Sequence, residues 1–147
     1  MLSKESLKQK LLLMTDWYTD ELFSDIGTPL RFPISRLICD VERFRNPVQE
    51  PMDSVGMWIC YERTSSLQLL KRFGQSHIQE ILHRYYDPHH RKLTDLVAHE
   101  LSHAGRCLIV DGHSFSSKAL PYEIDPSLRP DICIGTNAFH TPVSLQD

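Results

Sequence analysis

The run Cys107-Leu108-Ile109-Val110 breaks directly into Asp111-Gly112-His113-Ser114, and this junction limits the fold more than any other stretch of the chain. The apolar residues are too few and too uniformly hydrophobic for a surface helix, so they read as a short buried strand. In an open α/β sheet, ligands bind in the crevice outside the carboxyl ends of strands. A histidine there, two residues after an aspartate, is placed to hold a metal or to move a proton. The competing reading is that Asp111 and Ser114 only cap a turn.

The same pattern recurs. Ile34 to Val41 ends in Asp40-Val41-Glu42-Arg43, Met57 to Tyr61 ends in Glu62-Arg63-Thr64, and Asp131 to Ile134 forms a last short run. Each is expected to be a strand. Between them lie helical patterns. Leu7, Leu11, Met14, Tyr18 and Leu22 share one face of a helix over Lys4 to Phe23, with Ser3 as N-cap. Ser76 to Tyr86 forms a second helix, and a third starts afresh at Asp87-Pro88 and runs to Ala104, where Gly105 ends it. Leu93, Leu96, Val97, Leu101 and Ala104 make its expected buried arc. Residues 121–130 read as a loop. The order helix, strand, strand, helices, strand, strand predicts one α/β domain over residues 1–147.

Net charge of −3 argues against a general nucleic-acid binder, which would carry a basic stripe. No apolar run approaches the roughly 18 residues that a membrane span needs. The four cysteines form no CxxC pair, so reduced, buried thiols in a cytoplasmic protein fit better than a zinc ribbon or a disulfide framework. Eight histidines invite a search for metal chemistry. His99-Glu100-Leu101-Ser102-His103 is an HExxH, in which two histidines one helical turn apart bind zinc and the glutamate acts as general base. Against a zincin protease, His99 and His103 fall at or beyond the edge of the apolar arc. The residues after His103 supply no third histidine, which leaves Glu123 as the obvious further ligand.

Several separated pieces form a second, larger pattern: Thr15-Asp16-Trp17-Tyr18-Thr19-Asp20-Glu21-Leu22, Asp40-Val41-Glu42-Arg43, Arg63-Thr64, Tyr86-Asp87-Pro88-His89-His90, Asp111-Gly112-His113-Ser114 and Arg129 to Thr136. In this order, from about Leu11 to Pro142, they resemble the N-formylglutamate amidohydrolase family. That family is similar to zinc carboxypeptidases and aspartoacylase-type deacylases. The resemblance implies a three-layer α/β domain with a mixed central sheet flanked by helices, and zinc at the carboxyl ends of strands. It implies hydrolysis of the amide of a small acidic N-acyl amino acid, N-formylglutamate giving formate and glutamate.

Carried over by position, His113 becomes a zinc ligand, with Asp111 and Ser114 behind it. Arg43 grips the substrate carboxylate, with Asp40 on the same rim and Arg63 able to meet a second anionic group. The role of Glu42 stays open. Family members normally begin with a Pro-His-Ser-Gly segment and continue for roughly another hundred residues, where the deacylases carry the general-base glutamate. The expected domain is thus incomplete at both ends, with no catalytic base in this chain and self-association as one consequence of unpaired strand edges. Two further readings remain beside the amidohydrolase: the HExxH protease, and an inactive remnant that binds a small acid or a protein partner.

Overall fold

The computed structural model describes residues 3–118, 130–136, 141 and 143–145. It divides the chain into two units, Met1–Ser116 and Ser117–Asp147. Within the second, the described residues include a 3-10 turn at Val143–Leu145. Apart from the exposure of Ile132, Cys133 and Ile134, everything below belongs to the first.

Helix α1 spans Lys4–Leu13 and α2 spans Thr19–Leu22. Ser3 caps α1 as expected, its hydroxyl accepting the Ser6 N–H at 3.1 Å. The single helix expected over Lys4 to Phe23 does not form. Instead, Thr15 Oγ1 donates to the Leu11 carbonyl at 2.7 Å and Trp17 Nε1 donates to that of Leu12 at 2.8 Å. These side chains take the acceptors that another helical turn would use.

Helix α3, Gln75–Ile81, passes without a break through a π-helical turn, Leu82–Tyr86, into α4, Asp87–Ala104. The expected fresh start at Asp87 is therefore corrected. Asp87 is helical (φ −62°, ψ −40°) and caps nothing, because its carboxylate takes two hydrogen bonds from Arg45 at 3.0 and 3.2 Å. Pro88 lacks an N–H and crowds the carbonyl four residues back. A wider π turn immediately before it is one way a helix absorbs such an insertion. The stop is as expected, with Gly105 in the left-handed region at φ 68°.

The anticipated three-layer domain with a mixed central sheet is overturned. Among the described residues there is no strand, and an isolated bridge between Arg63 and Leu69 stands alone. Apolar content correctly marked what is buried: Cys39, Ile59 and Cys60 join Ile81, Leu82 and Tyr86 in one core cluster. The backbone bonding differs. Ile38 and Cys39 N–H turn back to the Ser35 carbonyl, Glu62 and Arg63 N–H both reach that of Gly56, and one bond, Asp40 N–H to Ile59 O at 2.8 Å, links the two segments. A ladder needs a repeating series of such bonds. At Leu108 to Val110 even the burial fails, since Leu108 is 86% exposed. Ile132 and Ile134 are exposed as well, as is Cys133, while Cys107 is half-buried. Helix α4 buries no residue completely: of its expected apolar arc Leu93, Leu96 and Val97 are half-buried, while Leu101 and Ala104 are exposed.

Two side chains of the long helix stitch it to the segment that matters for function. Tyr86 Oη donates to the Arg43 carbonyl at 2.7 Å, and the His90 ring meets the Val41 carbonyl at 2.9 Å. They fix the backbone on both sides of Glu42. No described helix is long and apolar enough to cross a membrane.

Candidate functional site

Three local devices converge. The first is the broken helix, which leaves Asp16 half-buried between α1 and α2. Just after it Tyr18 adopts φ 64°, a left-handed conformation that costs a non-glycine residue on the order of 1 kcal/mol. The second is a turn closed by the Asp40 side chain, whose Oδ1 accepts the Glu42 N–H at 3.1 Å and so aims Glu42. The third is Gly112. A Cβ built there would lie 2.5 Å from two ring carbons of Phe23, at the end of α2. Only a residue without a side chain lets the Asp111–Ser114 segment lie this close to Phe23, where His113 meets Asp16.

The result is a cluster of Asp16, Glu42 and His113 whose potential ligand atoms all lie within 4.8 Å of one another. His113 Nδ1 donates to Asp16 Oδ2 at 2.8 Å and lies 3.5 Å from Glu42 Oε1. Its other nitrogen, Nε2, is 3.4 Å from Asp111 Oδ1. Arg36 closes the group, with Nη2 3.1 Å from Asp16 Oδ2 and 3.3 Å from Glu42 Oε1. Acids on both sides of the imidazole, Asp111 and Asp16 foremost and Glu42 behind them, push His113 up to about 10 against the effect of its own burial. Asp111 is held below the usual carboxylate range by His113. Burial lifts Glu42 above its ordinary value even though Arg36 pulls the other way. Burial also opposes the charge on Arg36, but Glu42, Asp40 and Asp16 outweigh it and raise that guanidinium further.

One nitrogen and two carboxylate oxygens at this spacing are a donor set that zinc takes, leaving a position open for water or substrate. Asp111 on the far side of the ring is where a carboxylate orients a ligating imidazole. The proton now shared by His113 and Asp16 and a metal ion are alternatives at the same atoms.

The remaining sequence-derived positions separate from this cluster. Arg43 and Asp40, expected on a substrate-binding rim, come together facing inward: Tyr61 Oη donates to Asp40 Oδ2 at 2.6 Å, and Arg43 Nη2 donates to Tyr61 Oη at 2.9 Å. Arg43 Nε lies 3.2 Å from Asp40 Oδ2, and Nη1 lies 3.9 Å from Glu50 Oε1. Arg63 packs beneath Gly56 and donates to the Leu67 carbonyl at 2.8 Å, bracing a turn. Ser114 makes no hydrogen bond to the cluster among the described residues. His99 and His103 lie exposed on α4 with ring centroids 4.1 Å apart, and His103 Nδ1 is engaged with the His99 carbonyl at 2.9 Å. Glu100 is exposed beside them, and no third ligand joins the pair among the described residues; Glu123 lies outside these.

Sequence reasoning singled out His113 and Asp111, which the structure brings beside Asp16 and Glu42, and gave no role to Asp16, Glu42 or Arg36. The available signal was position: Asp16 and Glu42 stand in two of the pieces that, with His113, carry the family resemblance.

A sequence model of N-formylglutamate amidohydrolase matches residues 2–145. The protein is therefore of the amidohydrolase class, and the chain belongs to the N-formylglutamate amidohydrolase family. No curated protein and no solved structure matches it significantly.

Proposed function

We propose that this chain uses zinc, held by His113, Asp16 and Glu42, to hydrolyse the amide of an N-acyl acidic amino acid such as N-formylglutamate. The observation that carries this reading is the convergence of those three side chains, from three separate parts of the sequence, in a member of an amidohydrolase family. When bound, zinc lowers the pKa of a coordinated water and polarises the acyl oxygen. The chain's own residues do the rest. Asp111 fixes the ring of His113 so that Nδ1 is directed at the carboxylate pair. The Asp40 turn and the two carbonyl contacts from Tyr86 and His90 hold Glu42 at the required distance. Such preorganisation limits the rearrangement needed when substrate arrives. The HExxH on α4 is the weaker competitor, because its two histidines stand in solvent without a third donor among the described residues.

Zinc per chain and formate release from N-formylglutamate test the proposal, on wild type, His113→Ala and the His99→Ala/His103→Ala double variant. Both quantities should be lost with His113→Ala and retained in the double variant. Loss confined to the double variant would replace this reading with the protease.

A further inference from the structure

We infer that His99 and His103 form a metal site of their own on α4, one that takes a divalent late first-row ion such as nickel(II) or copper(II). The two residues stand four apart on the helix, a spacing that brings side chains onto one face. Both are exposed, and their rings lie tilted at 36° with centroids 4.1 Å apart. Metal–imidazole bonds of about 2.0 Å place two neighbouring nitrogens on one ion about 3 Å apart, within reach of rings so arranged. The pair shares no residue with the Asp16, Glu42 and His113 cluster, so its ion is independent of any hydrolysis there.

One ring is already prepared as a ligand. His103 Nδ1 lies 2.9 Å from the His99 carbonyl oxygen and 3.0 Å from Ser102 Oγ, and the Ser102 hydroxyl itself donates to that carbonyl at 2.7 Å. A carbonyl oxygen only accepts, so Nδ1 carries the proton, and in the neutral ring the lone pair is on Nε2. Ligating histidines typically donate their other ring N–H in this way, which fixes tautomer and orientation. The His99 ring makes no hydrogen bond among the described residues, so either of its nitrogens can turn to the ion. Position helps as well. His103 is in the last turn of α4, where unsatisfied carbonyls favour a cation. Donor chemistry then selects the ion. With two imidazoles and no third protein donor among the described residues, the pair falls short of the three or four protein ligands that hold zinc. Nickel(II) and copper(II), tetragonal ions that accept nitrogen and water ligands, suit it better. Zinc is lost from such a pair on dialysis, so zinc retained by the chain reports on the His113 cluster alone.

Calorimetric titration with nickel(II), which leaves the chain's thiols unoxidised, tests the site on the full chain carrying His113→Ala, so that the first cluster takes no part. One equivalent should bind. His99→Ala or His103→Ala should each weaken it by about 100-fold or more, because the second bond of a chelate is intramolecular. Glu100→Gln should bind as the parent does. Leu101→His combined with His103→Ala keeps two histidines but sets them two apart, on different faces, and should bind no better than His103→Ala. In the zinc-loaded wild type, nickel(II) should raise the midpoint of thermal unfolding, and the His99→Ala/His103→Ala variant should lack that rise. Undiminished affinity in either single-histidine variant, or full affinity with the histidines two apart, overturns the assignment and leaves ordinary surface imidazoles. So does a parent chain that binds no nickel(II), or a wild type and double variant whose midpoints respond alike. Loss of nickel(II) with Glu100→Gln overturns it too, since the glutamate would then be a ligand and the site one of three donors.

Discussion

Two clusters in this protein are built from nearly the same parts, an arginine between two carboxylates. In one, Asp40, Glu50 and Tyr61 close around Arg43, with the Asp40 and Glu50 side chains 2% and 4% exposed. In the other, Asp16, Glu42 and His113 gather at Arg36 with side chains 23%, 32% and 40% exposed. The first has spent almost all of its hydrogen-bonding capacity on itself and lies under the turn that aims Glu42. The second keeps donors and acceptors within reach of solvent. The identity of the charged residues does not separate a supporting cluster from a reactive one. Saturation and access do.

The comparison is broken most severely from the sealed side. Asp40→Ala removes the acceptor of Tyr61 Oη and the nearest counter-charge of Arg43, leaving a mostly buried cation with only the more distant Glu50. Losing one partner of a buried pair costs about 3–5 kcal/mol. Urea denaturation should show a midpoint lowered accordingly. Because Asp40 also accepts the Glu42 N–H, zinc binding should weaken with it. A midpoint within error of wild type would mean that this cluster does not support the fold.

Gly112→Ala tests the junction between helix end and histidine. The added methyl meets Phe23 at 2.5 Å, so one of the two must move. Overpacking of this kind costs about 1–3 kcal/mol. Phe23→Leu, which narrows the side chain at the contact, should recover part of the loss when combined with Gly112→Ala. A double-mutant cycle reads that coupling directly, and strictly additive effects would deny the contact its role.

The same contrast explains what was legible beforehand. Cys39, Ile59 and Cys60 were correctly marked as buried, because apolar content reports burial whatever the backbone does. Their conformation was misread, because a short apolar run has no period that separates a strand from an extended turn. Leu108 to Val110 was misread in burial too. The helix over Lys4 to Phe23 failed at Thr15 and Trp17, whose side chains compete for helical carbonyls in a way that spacing alone does not register. At the site, His113 was visible from its place after an apolar run. Asp16 and Glu42 were not, because nothing local shows that residues 97 and 71 positions before the histidine end beside it. The HExxH is the opposite case, a strong local motif on a helix face that nothing covers among the described residues.

The smallest effect on stability, and the sharpest test of the open cluster, comes from pH. His113 is raised from about 6.5 to about 10 by Asp111, Asp16 and Glu42. A group whose pKa is higher folded than unfolded binds its proton more tightly in the folded chain. Its contribution is therefore complete below about pH 6.5 and disappears as pH rises through about 10. His113→Gln removes that contribution, so thermal melts of the zinc-free proteins should differ at pH 6 and converge only above about pH 10. Exposure and ionic screening keep the difference small, below about 1 kcal/mol, and added salt should shrink it further. Asp40→Asn offers the contrast: with its side chain 2% exposed, its penalty should persist in salt and across the same pH range. Equal salt sensitivity in the two variants would erase the distinction between a sealed cluster and an open one, and with it the reason to place the chemistry at His113.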